Sequence, residues 1–175
     1  MQKLNRQEKV LGLVGVIGSV LCIWFSPARA DDPMQIYMWV AQEMQIDIDQ
    51  AMPKILFVEK SELQAAFKEG NHKSYLRWEA EYGKVQAQRI LNKYLEGVLG
   101  LFVPQTETIY VDAFLSPCRQ EAILAHEISH FFQHLTHGVI SPGQYGADME
   151  HLVREMEAYQ LEKKFVENHC GAPLP

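Results

Sequence analysis

The 175-residue sequence predicts an α+β fold, a small antiparallel or mixed sheet packed against two late helices. Two β-rich runs, 98–103 and 108–111, are separated only by Pro104-Gln105-Thr106-Glu107 and read as a hairpin. A strongly apolar helical pattern starts directly after them at Ser116-Pro117. Beyond a Ser141-Pro142-Gly143 turn, a second helical pattern runs through 149–167. Strands followed by helices, in a chain long enough for one sizeable core, favour helices lying on a single sheet.

Taken in order, 34–46 carries Ile36, Tyr37, Val40 and Met44 at helical spacing and reads as a core-packing helix. Lys54-Ile55-Leu56-Phe57-Val58, after Pro53, reads as a short strand. Ser61 with Glu62 opens a short helix that Gly70-Asn71 closes. No element is assigned to 72–82, where aromatic and charged residues mix without a clear period. The helix from Pro117 has Glu121 early, passes through Leu135, and stops near Gly138.

The first thirty residues have the layout of a secretory signal. Lys3, Arg6 and Lys9 precede an apolar run over 10–25, Ser26-Pro27 breaks it, and Ala28-Arg29-Ala30 offers small residues at a cleavage point. The run is a little shorter than the ~20 residues of a spanning helix. Cleavage is the expectation, and an uncleaved anchor is the alternative; either way 31–175 is exported, periplasmic or secreted, and touches membrane only through that segment. Net charge is −6 overall, and roughly −9 without these basic residues, which repels phosphate backbones and argues against nucleic acid as a partner. Cys22 lies in the apolar run, leaving Cys118 and Cys170 to form one disulfide in an oxidising compartment.

The chemistry concentrates in Ala125-His126-Glu127-Ile128-Ser129-His130-Phe131-Phe132, which contains H-E-x-x-H. Residues four apart on a helix share a face, so both imidazoles can reach one zinc ion at about 2.0–2.1 Å. Glu127, one position round, can act as general base on water without ligating the metal. Ile123, Leu124, Ile128, Phe131, Phe132 and Leu135 mark this as a core helix, where unsatisfied polar groups would be costly.

A catalytic zinc needs a third protein ligand. The metzincin extension of the motif is excluded, because Gln133 and Thr136 occupy its glycine and third-histidine positions. His134 would require three rings stacked on one straight helix, and His137 lies at the helix end. A carboxylate from the following helix is the better candidate. Arg154-Glu155-Met156-Glu157-Ala158-Tyr159 resembles the second-helix motif of gluzincin-type zinc peptidases, in which the glutamate after the arginine completes a His, His, Glu site. The resemblance spans roughly 98–165. It implies a zincin-like domain over 31–175, Glu155 as third ligand, and a strand beside the metal to whose edge a peptide or protein substrate adds; Thr108 to Asp112 is a candidate part of that sheet, with plain core as the alternative. Glu157 points about 200° away from Glu155 round the helix, so only one of them can face the metal. Tyr159 stands where the family usually has an aspartate that supports a ligand.

The resulting expectation is a zinc-dependent metallopeptidase with His126, His130 and Glu155 as ligands and Glu127 as base. Tyr145, His151 and Tyr159 are candidate donors to an oxyanion. Two alternatives carry the same motif: a non-peptidase zinc hydrolase such as a cell-wall amidase, and an inactive binding module whose metal only stabilises the fold.

Overall fold

A computed structural model describes residues 32–47, 49–138 and 147–170. In chain order they form α1 (Pro33–Glu43), β1 (Lys54–Val58), α2 (Lys60–Gly70), α3 (His72–Tyr82), α4 (Lys84–Gly97), β2 (Gly100–Val103), β3 (Thr108–Asp112), α5 (Pro117–His137) and α6 (Ala147–His169). The signal-like segment 1–30, the Ser141-Pro142-Gly143 turn and Tyr145 lie outside the described residues.

The architecture is α+β. Among the described residues one three-stranded sheet has the order β1-β3-β2, with β1 parallel and β2 antiparallel to β3. The hairpin expected around Pro104 is present: β2 and β3 are joined by a 3-10 turn over Pro104–Thr106. Glu107 adopts the left-handed region there, at φ 44°. The placement of β1 beside β3 was not readable from local pattern, because a parallel partner is set by tertiary packing. Thr108 to Asp112 is part of the sheet, as expected, and is its central strand, paired on both sides; β1 and β2 are the outer strands.

Helix α5 is the centre of the core. Ile123, Leu124, Ile128, Phe131 and Phe132 are buried with Ile109 and Val111 of β3 and Ile36, Tyr37 and Val40 of α1. Each such side chain contributes roughly 1.5–3 kcal/mol through removal of apolar surface from water. Leu135 departs from the expected core and is 37% exposed. Pro117 occupies the first turn of α5, and Gly138, at φ +74°, ends it in a conformation that favours glycine. Asp32 caps α1 by accepting a hydrogen bond from the Met34 N–H at 3.1 Å.

The stretch without an assigned element is helix α3. It buries no residue, so it has no apolar face for a periodicity to reveal. Helix α4, also unassigned, hides only a narrow stripe of Ala87, Leu91 and Leu95. Rings hold this part together: Trp78 stacks on Tyr94 with centroids 5.6 Å apart, and Phe67 of α2 lies 6.1 Å from Tyr94. Lys60, at the start of α2, approaches Asp112 at 4.0 Å, on the side of β3 opposite to Ile109 and Val111.

Helix α6 packs antiparallel along α5. The expected disulfide is formed: Cys118 at the start of α5 joins Cys170 at the end of α6, with Cα atoms 5.7 Å apart. No described helix is long and apolar enough to cross a membrane. Cys118 and Cys170 are expected to take up a thiol reagent only after reduction, and reduction should cost roughly 2–4 kcal/mol of stability in denaturant unfolding. Labelling of the untreated folded protein would contradict this.

Candidate metal centre

The two motif histidines project from one face of α5 toward α6, as their spacing requires. Their Nε2 atoms are 3.1 Å apart. Glu155 of α6 meets them, with carboxylate oxygens 3.7 Å from His126 Nε2 and 3.4 Å from His130 Nε2. A tetrahedral ion with bonds of about 2.0–2.1 Å needs donors roughly 3.3–3.4 Å apart. The three side chains therefore form a group that can hold a metal ion. Glu157 is not part of it. Its Oε2 accepts a hydrogen bond from Gln133 Nε2 at 3.1 Å. Arg154 pairs with Glu150 and donates to the Gly138 carbonyl.

What lies behind the imidazoles explains their orientation. His130 Nδ1 donates to Gln133 Oε1 at 2.9 Å, and the Gln133 amide is itself held by the Arg154 carbonyl at 3.0 Å. His126 Nδ1 donates to Glu162 Oε2 at 3.1 Å. With both Nδ1 atoms carrying protons, both Nε2 lone pairs face the same small space. Two lone pairs and a carboxylate repel one another unless a cation lies among them. In the metal-free protein that cation is a proton on His126. Burial opposes charge there, but hydrogen bonds to Glu155 and Glu162, with Glu127 also near, raise its pKa to about 10. Burial and the neighbouring His126 charge push His130 the other way, so it stays neutral. Glu155 is partly buried, which alone would raise its pKa; the adjoining histidines overcome this and lower it.

Glu127 lies beside the group and outside the donor set. It is buried to 7% exposure, and that burial raises its carboxyl pKa to about 7, with Glu155 adding to the effect and His126 opposing it. The strand β2 comes unusually close. A Cβ at Gly100 would lie 2.5 Å from Ile123 Cγ2 and 2.7 Å from Glu127 Oε1, so only glycine fits without displacement. The Asp112 N–H bonds the Leu99 carbonyl at 3.0 Å, which makes Leu101–Tyr110 and Val103–Thr108 the other bonded pairs of the hairpin. Gly100 and Phe102 consequently turn their backbone groups to the outer edge of β2, beside Glu127, whose carboxylate accepts a hydrogen bond from the Phe102 N–H.

Of the remaining candidates, Tyr159 has its ring 4.8 Å from that of His126 and is 60% exposed. Burial of its hydroxyl and the charges of Glu155, Glu162 and Glu127 raise its pKa, so it keeps its proton. His151 Nδ1 is 3.8 Å from Glu155 Oε1 at the open side. His134 packs near Phe102, with centroids 5.8 Å apart, and its buried Nδ1 has no hydrogen-bond partner. His137 is exposed at the helix end. The sequence reading missed Gln133 and Glu162. Gln133 follows His130 by three residues, one turn on, which is the signal that would have found it.

No protein-family model, curated protein or solved structure matches this chain. The donor geometry therefore carries the functional argument.

Metal entry must displace the His126 proton, so apparent zinc affinity should weaken by about tenfold for each unit the pH falls from 8 to 6. Chelator competition at several pH values measures this, and a flat profile would contradict it. Gly100→Ala should cost about 1–3 kcal/mol in urea unfolding because the added methyl overpacks the strand–helix contact; unchanged stability would refute the close approach.

Proposed function

We propose that this chain is an exported, zincin-like zinc metallopeptidase. The reading rests on one observation: two imidazole nitrogens and a carboxylate converge, while a second carboxylate, Glu127, is held next to them without joining them. A structural site has no use for that buried acid, and catalysis does. Residues 1–30 serve as the export signal, in keeping with the disulfide between Cys118 and Cys170.

His126, His130 and Glu155 would hold the ion. Zinc bound there would supply Lewis acidity, activating a water at neutral pH and polarising a carbonyl. The peptide would lie extended against β2, where the Gly100 backbone groups and the Phe102 carbonyl face outward to pair with it, the Phe102 N–H being held by Glu127. Glu127, with a pKa near neutrality in the metal-free protein, accepts a proton from the attacking water and returns it to the leaving amine. Among the described residues, Tyr159 and His151, at the open side, are candidate donors to the developing oxyanion. Hydrolysis of peptidoglycan amides would use the same groups, and the products of a peptide-library digest beside those of a cell-wall digest separate the two substrate classes.

The purified protein should contain about one zinc, and His126→Ala or Glu155→Ala should remove most of it. Glu127→Gln should retain the metal while turnover on a cleavable peptide falls by about 10²-fold or more. Metal analysis alongside peptide kinetics checks both. Full activity in the glutamine variant would end the general-base assignment, and full zinc in both ligand variants would end the site.

A further inference from the structure

Glu162 is only 6% exposed, yet it has no place among the ligands or the base. It lies seven residues after Glu155, two helical turns, and so shares the face of α6 that meets α5. Arg119 and His126 are likewise seven apart on α5. Because the helices run antiparallel, the four side chains alternate across the seam in the order Arg119, Glu162, His126, Glu155. Both Glu162 oxygens are engaged: Oε1 accepts from Arg119 Nη1 at 2.7 Å, and Oε2 accepts from His126 Nδ1 at 3.1 Å.

From this arrangement we infer that Glu162, anchored by Arg119, is the positioning residue that aims His126 at the metal. Tyr159 fills the position one turn after Glu155 and brings no carboxylate to His126, so the support comes from one turn further along. Glu162 fixes which ring nitrogen carries the proton and leaves Nε2 as the donor atom. A carboxylate behind a ligating imidazole also increases the ring's basicity toward the ion, an effect worth about 10–100-fold in metal affinity. Arg119 prevents the carboxylate from rotating away. The inference rests on the metal-site reading above.

The test is zinc affinity by chelator competition at fixed pH, on the full chain and its variants, each first shown to be folded by circular dichroism. A parallel absorption spectrum of the cobalt-loaded protein reports the ligand field at His126. Glu162→Ala should bind zinc about 10–100-fold more weakly and shift the cobalt bands. Glu162→Gln, which keeps an oxygen for Nδ1–H but not the charge, should recover only part of the affinity. If Glu162→Ala does not fold, Arg119→Gln decides, with a several-fold loss expected. Wild-type affinity and an unchanged cobalt spectrum in the decisive variant, even with lowered thermal stability, would reduce Glu162 to an interhelical tie and overturn the inference. A wild-type protein that takes up no metal would overturn the parent reading as well, whereas normal wild-type binding with an indifferent Glu162 variant would overturn this assignment alone.

Discussion

The seam between α5 and α6 is the contact on which the site depends. Helix α5 brings the two imidazoles, Glu127 and Gln133; helix α6 brings Glu155 and Glu162. Neither helix holds a complete donor set, so the relative position of the two, along the axis and in rotation, determines whether the site exists. Three kinds of force fix it. Phe165 and Val166 of α6 are buried in the same core as Phe131 and Phe132. The Arg119–Glu162 pair sets the register from inside. The Cys118–Cys170 bond ties one end covalently. Apolar burial supplies most of the adhesion, while the polar contacts supply the registration that non-directional burial lacks.

Electrostatics give the seam a purpose beyond packing. Three carboxylates, Glu127, Glu155 and Glu162, lie on or close to the inner faces of two helices. Desolvating that much negative potential is unfavourable unless positive charge accompanies it. Arg119 answers part of it and the histidine pair answers the rest, by taking up either a proton or a metal ion. Carboxylate neighbours raise the proton affinity of His126 against its burial, whereas burial is the main cause of the raised carboxyl pKa of Glu127. A divalent cation is a better answer than a proton, because it satisfies both imidazoles and Glu155 together.

Much of this was legible in the sequence, for identifiable reasons. His126, Glu127 and His130 are local: spacing on one helix settles their mutual placement. The hairpin before α5 and the long helix after it followed from turn residues and β-rich runs, and the disulfide followed from an even cysteine count. Choosing Glu155 over Glu157 needed a family resemblance, since either residue could face α5 until the rotation of α6 was known. The parallel pairing of β1 with β3 could not be read, because no short-range pattern encodes it. Helix α3 escaped because it buries nothing. Glu162 escaped for a different reason: a charged residue on a charged helix looks solvated until its partners are visible, although its seven-residue spacing from Glu155, matched by Arg119 and His126, was there to be noticed.

That matched spacing limits how such a chain can diverge. A single inserted or deleted residue between Glu155 and Glu162, or between Arg119 and His126, turns one member of the pair about 100° away from its counterpart. Conservative replacements at these positions leave the interdigitation in place, whereas a change of length by one residue dismantles it at a stroke. Length across both spans is accordingly the stricter requirement than side-chain identity, a constraint written in the helical repeat itself.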